Sequence, residues 1–559
     1  MTYIEEYYNK IVTGEIVACK RIKQVYKKLV DDLYNPKDNW VFDLELANRP
    51  IEFIETFCYQ SQGTLGKPLK LELFQKAKFQ AVFGFVDKDT RLRKYKEVLT
   101  IEGRKNGKTT ELAGVNNFML VGDGEGGAEN YIVATKLEQS QKCFNEVHNM
   151  IRQSPLLSKY IRKRKSDLYF DSSFSFVKAL ASNSNGLDGL NAHMVTIDEL
   201  AAIKNRDLYD LMKQSMSARR QPLLFCITTN GFVRGSIFDS QYEYACKVLD
   251  GYDTDNPNRV IDDTFLPFIY ELDDKDEWDK EECWIKANPG LGTIKNIKDL
   301  RDYVNKAKND PAFKATVMVK DFNMKENTAS SWLRWDELDN TETFDIKSMG
   351  FKYGIGAFDL AETTDLASAR VLCMRPNDSK VYTIQMYFIP EEKINAIEDN
   401  KTGDSVPYRL WEKQGLVRIC QGNKINKYHV LDWFKEVRDI YNIYIPWIGY
   451  DPWHVDDSFL MAFENDFGKD AMIKVRQGVL TLSSPMKELK ADLEAKKVVY
   501  NNNPIDKWCL SNTEIKTDIN GNIQPIKGMD SRKRIDGTVS LIIGYVVLLD
   551  KLSEYESMI

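Results

Sequence analysis

The spacing of apolar residues changes several times along the chain. Up to about residue 60, aromatic and aliphatic residues recur at helical intervals among charges, which predicts helices ending at ETFCYQSQ. Gly63 and the Gly66–Lys67–Pro68 turn then lead into LELFQKAKFQ, an amphipathic helix. Short, densely apolar runs follow. Tyr95 to Ile101, Tyr131 to Ala134, Met194 to Ile197 and the run from Leu223 to Gly231 read as buried strands of a parallel sheet. Helical stretches begin after the first two of them, at Thr109 and near Lys136. Tyr169 to Ala181 alternates like a hairpin and runs into the polar, Gly-rich NSNGLDGLNAH. From about 240 to 330 the pattern becomes charged: ELDDKDEWDKEECW predicts an acidic helix, KANPGLGT a turn, and two charged helices flank Pro311. Beyond 346 the strand pattern returns. Tyr353 to Phe358, a second strand near Ala367, VYTIQMYFIP and Trp447 to Tyr450 precede an apolar helix that starts at Asp536, and NPIDKWCLSN reads as a turn and an apolar segment before it.

Composition narrows the classes. At 559 residues the chain exceeds one ordinary core, so several domains are expected. No apolar run reaches membrane-spanning length, and the start MTYIEEYYNK does not read as a signal peptide, which predicts no membrane association. The nine cysteines are scattered without a C-x-x-C pair, as in a reducing cytoplasm. A net charge of -6 excludes a polycation, so nucleic-acid binding has to come from local patches. The Arg162 to Lys165 run is one such patch, although a solvated surface is its commoner role.

The chemistry concentrates first at IEGRKNGKTT, Ile101 to Thr110, between a strand and a helix. Glycine lets the backbone close on an oxyanion, so Arg104, Lys105, Asn106, Gly107, Lys108, Thr109 and Thr110 form a candidate ATP-phosphate loop. Lys108 would reach the terminal phosphates and the Thr109 hydroxyl would meet Mg²⁺. The general motif wants glycine where this chain has Glu102. Gln75 lies upstream, and its amide has the donor and acceptor edges that adenine requires. About 90 residues beyond Lys108, a strand ends at Asp198 and Glu199, a second Mg²⁺ anchor and a candidate general base. Thr228, Thr229 and Asn230 end the next strand and are placed to sense the terminal phosphate.

The second concentration is carboxylate. Asp359, Asp451 and Asp536 stand at the ends of two strands and the start of the last helix, the arrangement of an RNase H-like nuclease that uses two Mg²⁺ or Mn²⁺ ions. Asp365 is a possible fourth ligand; Arg532, Lys533 and Arg534 are candidates for holding DNA phosphates, as are Lys487 and Lys490. With four histidines, His454 is read as structural. These features predict an α/β chain. It would comprise an N-terminal helical region (1–60), a P-loop ATPase core with an open parallel sheet (61–240), a lid or linker subdomain (241–345) and an RNase H-like nuclease domain (346–559).

Taken together, GRKNGKTT, VTIDE, ITTNG, FDLAETTDLASA, YDPWH, NPIDKWCLSN and KRIDGTVSLIIGY make the chain resemble the large terminase subunit of tailed bacteriophages, from about Leu71 to Val547. The resemblance implies ATP-driven translocation of double-stranded DNA into a procapsid and metal-dependent cutting of concatemeric DNA. It also implies a homo-oligomeric ring on the portal protein, a small terminase subunit as partner, and action in the host cytoplasm without retention in the mature virion. Arg104 fits the arginine with which the family's phosphate loop often begins, and leaves open whether a neighbouring subunit's arginine completes the site. Two other readings compete: a helicase- or repair-type ATPase fused to a nuclease, and an ATP-dependent scaffold that has lost catalysis. The intact Lys108, Glu199 and three acids speak against the last.

Overall fold

The computed structural model describes the chain apart from residues 64, 182–188, 204–205, 233–236, 254–258, 327–330, 361–365, 399–405, 519 and 528–532, and apart from the side chains of 311, 312, 396–398 and 454. It divides into two compact units, Met1–Lys325 and Glu326–Ile559. No helix among the described residues is long and apolar enough to cross a membrane.

The first unit is built on an eight-stranded sheet. Its strands are β1 (Glu97–Ile101), β2 (Glu129–Ala134), β3 (Ile161–Lys163), β4 (Asp167–Phe170), β5 (Ser175–Ala181), β6 (Ala192–Asp198), β7 (Leu223–Thr228) and β8 (Phe265–Ile269), in the order β8-β1-β7-β6-β2-β5-β4-β3. All neighbours from β8 to β5 run parallel; β4 and β3 add an antiparallel edge. Apolar runs form these strands because parallel strands are covered on both faces. β1, β6, β7 and β8 are buried at every residue. Helices α1 (Tyr3–Val12), α2 (Lys20–Tyr34), α3 (Leu44–Phe57), α4 (Leu73–Gly84) and α5 (Lys108–Val121) contribute to the same core. α1 starts with a capping box between Thr2 and Glu5.

Two local expectations change. The acidic stretch ELDDKDEWDKEECW forms only short 3₁₀ turns at Lys275–Glu277 and Glu281–Lys286 rather than a helix. Closely spaced like charges oppose a helix, and here Asp273 and Glu277 instead converge on Lys286. β8, unexpected from the sequence, carries Pro267 at its centre; this is tolerated because β8 is an edge strand. Downstream, α6 (Ile297–Ala307) and α7 (Pro311–Lys320) are the two helices expected around Pro311. Asp310 caps α7, accepting from the Phe313 N–H at 3.0 Å, with Pro311 at the first helical position.

The second unit has a seven-stranded sheet: β9 (Tyr353–Asp359), β10 (Ala367–Cys373), β11 (Val381–Pro390), β12 (Val417–Cys420), β13 (Tyr444–Tyr450), β14 (Met472–Lys474) and β15 (Val498–Val499). The order is β12-β11-β10-β9-β13-β14, with β15 also beside β11. β9, β10 and β11 are antiparallel neighbours, whereas β13 and β14 run parallel to β9. This mixed order is the RNase H-like arrangement. α8 (Val479–Glu494), α9 (Pro504–Asn512) and α10 (Asp536–Met558) follow. NPIDKWCLSN, expected as a turn and an apolar segment, is a helix from Pro504 to Asn512. The Asn503 side chain accepts from the Ile505 N–H at 2.8 Å and Pro504 stands at the first helical position, a cap-plus-proline start. α10 lies close against the sheet because Gly449 leaves it room: a β-carbon there would be 2.7 Å from Val547.

Candidate active sites

The phosphate loop joins the buried end of β1 to the start of α5. Gly107 caps the helix in the left-handed region (φ 90°), the conformation a glycine supplies without strain. Lys105 is also left-handed (φ 69°) and exposed. Thr109 and Thr110 are half-buried at the helix start. Lys108 folds back onto the loop, its Nζ donating to the carbonyls of Glu102 (3.1 Å) and Gly103 (3.0 Å). Gln75, in the first turn of α4, is buried; its Oε1 accepts from the Glu72 N–H (3.0 Å) and its Nε2 donates to Glu111 (3.3 Å). A β-carbon on Gly107 would come within 3.8 Å of that Nε2, so Gln75 borders the loop.

The segment after β8 clasps this loop. Gly103 N–H donates to the Ala287 carbonyl at 2.9 Å, and Arg104 N–H to the Lys320 carbonyl at 2.8 Å. Asn106 Nδ2 donates to Asn288 Oδ1 (3.0 Å), and Asn106 Oδ1 accepts from the Gly290 N–H (3.0 Å). The approach is so close that a β-carbon on Gly103 would stand 2.3 Å from Asn288 Oδ1. The Arg104 guanidinium pairs with Asp321, its Nε donating to Oδ1 at 3.0 Å and a terminal nitrogen standing 2.9 Å from Oδ2, and lies over the Tyr303 ring. Lys295 meets the same carboxylate at 2.7 Å. In this structure Arg104 thus points to Asp321.

Asp198 and Glu199 end β6. Burial, then the neighbouring Glu199, push the Asp198 carboxyl up to about 6, while Lys108 pulls it down. Glu199 sits in the left-handed region (φ 60°), turning its side chain out of the strand line, and its Oε2 accepts from the Thr229 hydroxyl at 3.5 Å. Lys320 Nζ donates to Thr229 Oγ1 (3.1 Å) and to the Asn230 carbonyl (2.9 Å). Asn230 is further held by Asn323, through its own N–H (3.0 Å) and its side-chain amide (2.9 Å). Sequence reasoning did not single out Asn288, Lys295, Lys320, Asp321 or Asn323. Asn288, Lys320, Asp321 and Asn323 lie roughly 90 to 220 residues from the loop and strand-end groups they hold, Lys295 acts through Asn288 and Asp321, and no local spacing marks them.

Behind the loop, Glu102 is fully buried and neither carboxylate oxygen has a hydrogen bond among the described residues. Burial pushes its carboxyl up to about 7, against the pull of Lys78 and Lys108 and with the push of Glu111. Lys78 and Glu111 form an ion pair at 2.7 Å with no solvent exposure.

In the second unit, Asp359 ends the central strand β9. Phe358 stands in register with Tyr450, so Asp451 follows at the matching end of β13. α10, which Asp536 begins, packs against β9 and β13. Asp359 is pushed well above the usual carboxylate range by burial, then by Asp536 and Asp451, while Lys527 opposes. The three acids therefore share one electrostatic environment. Among the described residues no three His, Cys, Asp or Glu side chains form a ready-made metal cage. The donor set nonetheless suits Mg²⁺ or Mn²⁺: hard carboxylate oxygens whose mutual repulsion a divalent cation relieves. Asp365 and Arg532 lie outside the described residues, as does the His454 side chain. The other cations expected to hold DNA are already engaged. Lys533 pairs with Glu514 (2.7 Å), Arg534 is buried near Asp536, and Lys490 lies by Glu337 (3.6 Å). Lys487 reaches the Gly521 carbonyl at 3.5 Å. In the first unit, Arg162 and Arg164 pair with Asp171 and Asp167 on the exposed edge, as a solvated surface would. A different surface flanks Asp451. Trp453 is 85% exposed, its N–H donating to Asp451 Oδ1 at 3.1 Å, and Lys474, beside Tyr450 in register, is exposed along with Arg476.

Family models match both units: the terminase large subunit ATPase domain over residues 73–247, and the terminase large subunit endonuclease domain over 259–550. Protein YmfN of Escherichia coli K12 is 26% identical over 379 residues, covering 65% of this chain and 79% of its own. The large terminase subunit of Enterobacteria phage HK97 is 25% identical over 514 residues, covering 89% and 94%. The crystal structure of the HK97 bacteriophage large terminase covers 90% of this chain and 99% of its own at 22% identity, with a TM-score of 0.48. A helicase- or repair-type ATPase gives way to the two family-model matches. With the endonuclease model alone spanning more than half of its length, the chain belongs to the terminase large subunit family, and it is an ATPase and endonuclease for packaging and cutting DNA.

Proposed function

We propose that ATP binds where Gln75, the loop from Arg104 to Thr110, Asp198, Glu199 and Asn230 face one another, and that Asp359, Asp451 and Asp536 cut DNA. The observation that supports this most is that the phosphate loop follows β1 and Asp198 ends β6, two parallel strands flanking β7, so both stand at carboxyl ends of the sheet, the usual place for a nucleotide in an open sheet. Lys108 exchanges two loop carbonyls for phosphate oxygens. Thr109 and Asp198 would hold Mg²⁺, which neutralises phosphate charge. Glu199 accepts the proton of the attacking water. Thr229 is hydrogen-bonded to both Glu199 and Lys320, so a shift of the base on hydrolysis is passed to α7 and the clasp. Arg104 leaves Asp321 for the transferred phosphate.

At the cutting site Asp359, Asp451 and Asp536 would hold two Mg²⁺ or Mn²⁺ ions, which activate water and steady the leaving oxygen. Trp453, Lys474 and Arg476 flank Asp451 and guide the DNA strand, the cations by its phosphates. In the host cytoplasm the chain works as a homo-oligomeric ring on the portal protein of a procapsid, with a small terminase subunit selecting double-stranded DNA. The test is packaging with purified portal-bearing procapsids, small subunit and ATP. DNase-protected DNA is the expected product; its absence while ATP is hydrolysed overturns the proposal.

A further inference from the structure

Beneath the three nuclease acids lies a buried charge that DNA cannot reach. Arg370, in the middle of β10, has no solvent exposure. Its second terminal nitrogen donates to Asp506 Oδ1 at 2.9 Å and to the Gly537 carbonyl at 2.7 Å. Its Nε donates to Ser540 Oγ at 2.8 Å, and Ser540 Oγ is 2.8 Å from Ser368 Oγ. Asp506 comes from α9, the segment NPIDKWCLSN, and is also buried.

This network joins the two elements that carry nuclease acids. Ser368 stands directly across from Asp359 in the β9–β10 register. Gly537 and Ser540 belong to the first turns of α10, which Asp536 begins. Arg370 therefore ties the strand end at Asp359 to the helix start at Asp536. The packing leaves little slack: a β-carbon on Gly537 would stand 2.4 Å from the Tyr387 hydroxyl. A buried ion pair is a poor device for stability alone, since well-packed apolar residues of similar volume do as well or better. What a fork of fixed donors supplies is geometry.

We propose that Arg370, with Asp506 as its counter-charge, is the positioning residue that sets the spacing of Asp359 and Asp536 and thereby the affinity of the cutting site for divalent metal. The proposal rests on the assignment of those aspartates as metal ligands. Supporting partners of metal ligands commonly change affinity by about 10- to 100-fold when altered. Arg370→Lys keeps the charge and loses the fork.

The test uses the full chain without nucleotide. Mn²⁺ binding is followed by electron paramagnetic resonance, and DNA cleavage is titrated with Mn²⁺ in parallel. Asp359→Asn defines the signal that belongs to this site. Arg370→Lys should raise the Mn²⁺ concentration for half-maximal binding and cleavage by about 10-fold or more. Saturating Mn²⁺ should restore most of the cleavage rate, and ATP hydrolysis should be unchanged. Asp506→Asn and Ser540→Ala should shift both midpoints in the same direction by a smaller factor. If Arg370→Lys does not fold, Ser540→Ala carries the test, because it removes only the hydroxyl between Ser368 and Arg370. Midpoints equal to the parent's in a folded variant overturn the proposal, as does a loss of cleavage that Mn²⁺ does not restore. If Asp359→Asn itself cuts DNA and binds Mn²⁺ like the parent, the assignment of the metal ligands has failed instead.

Discussion

Replacing Glu102 with glutamine should stabilise the first unit, and by an amount that grows with pH. Glu102 is fully buried in the place where a phosphate loop ordinarily has glycine, and its carboxyl rises from near 4.5 to about 7. Between those values the folded chain keeps a proton that the unfolded chain has released. Stability therefore falls as pH rises through this window, and above it the buried carboxylate is charged in both states. The distance from 4.5 to about 7, at about 1.4 kcal/mol per pH unit, amounts to about 3 kcal/mol. Glutamine has a similar shape and no proton to lose. Part of the window lies below pH 5, so the advantage of Glu102→Gln should widen by about 2 to 3 kcal/mol between pH 5 and pH 8. The assay is urea unfolding at both pH values, following the transition that ADP and Mg²⁺ move to higher urea, because a ligand stabilises the unit that binds it. An advantage that is equal at the two pH values within about 0.5 kcal/mol would refute the assignment of an uncompensated buried carboxyl.

Two further perturbations follow from the same region. Lys78→Met leaves Glu111 buried without its cation and should cost about 3 to 5 kcal/mol. Lys78→Met combined with Glu111→Leu should recover most of that loss, as urea unfolding would show; a double variant as unstable as the single one would contradict the pairing. Gly103→Ala drives a β-carbon to within 2.3 Å of Asn288 Oδ1, so the clasp has to move; a cost of about 1 to 3 kcal/mol and a clear fall in ATP turnover are expected in unfolding and phosphate-release assays.

The strands were legible in the sequence where they are buried on both faces. Met194 to Ile197, interrupted only by Thr196, and Leu223 to Ile227 are dense apolar runs that end at polar groups, so the strand and its candidate site residues stand together in the sequence. Phe265–Ile269 was hidden by Pro267, which argues against a strand unless the strand is known to lie at an edge. The phosphate-loop candidates and the Asp198–Glu199 pair are contiguous in the chain, and each nuclease-acid candidate is marked by its own strand end or helix start, which is why they could be proposed from sequence. The clasp could not. Lys320, Asp321 and Asn323 read as an ordinary helix end, and only folding brings them onto Arg104 and Asn230, about 90 to 220 residues away. Arg370 gives the same lesson. Within ASARVL it looks like a polar interruption of a strand, and its meaning depends on Asp506 and Gly537, both distant in the chain.

The central claim is that ATP hydrolysis and DNA cutting are run by separate residue sets in separate units. ATP turnover and plasmid cleavage, measured side by side on Glu199→Gln and Asp359→Asn, test it most directly. Glu199→Gln should lower ATP turnover by about 100-fold or more and leave nucleotide-free cleavage intact. Asp359→Asn should abolish cleavage and leave ATP turnover at the parental rate. Loss of both activities in either folded variant would contradict the two-site account.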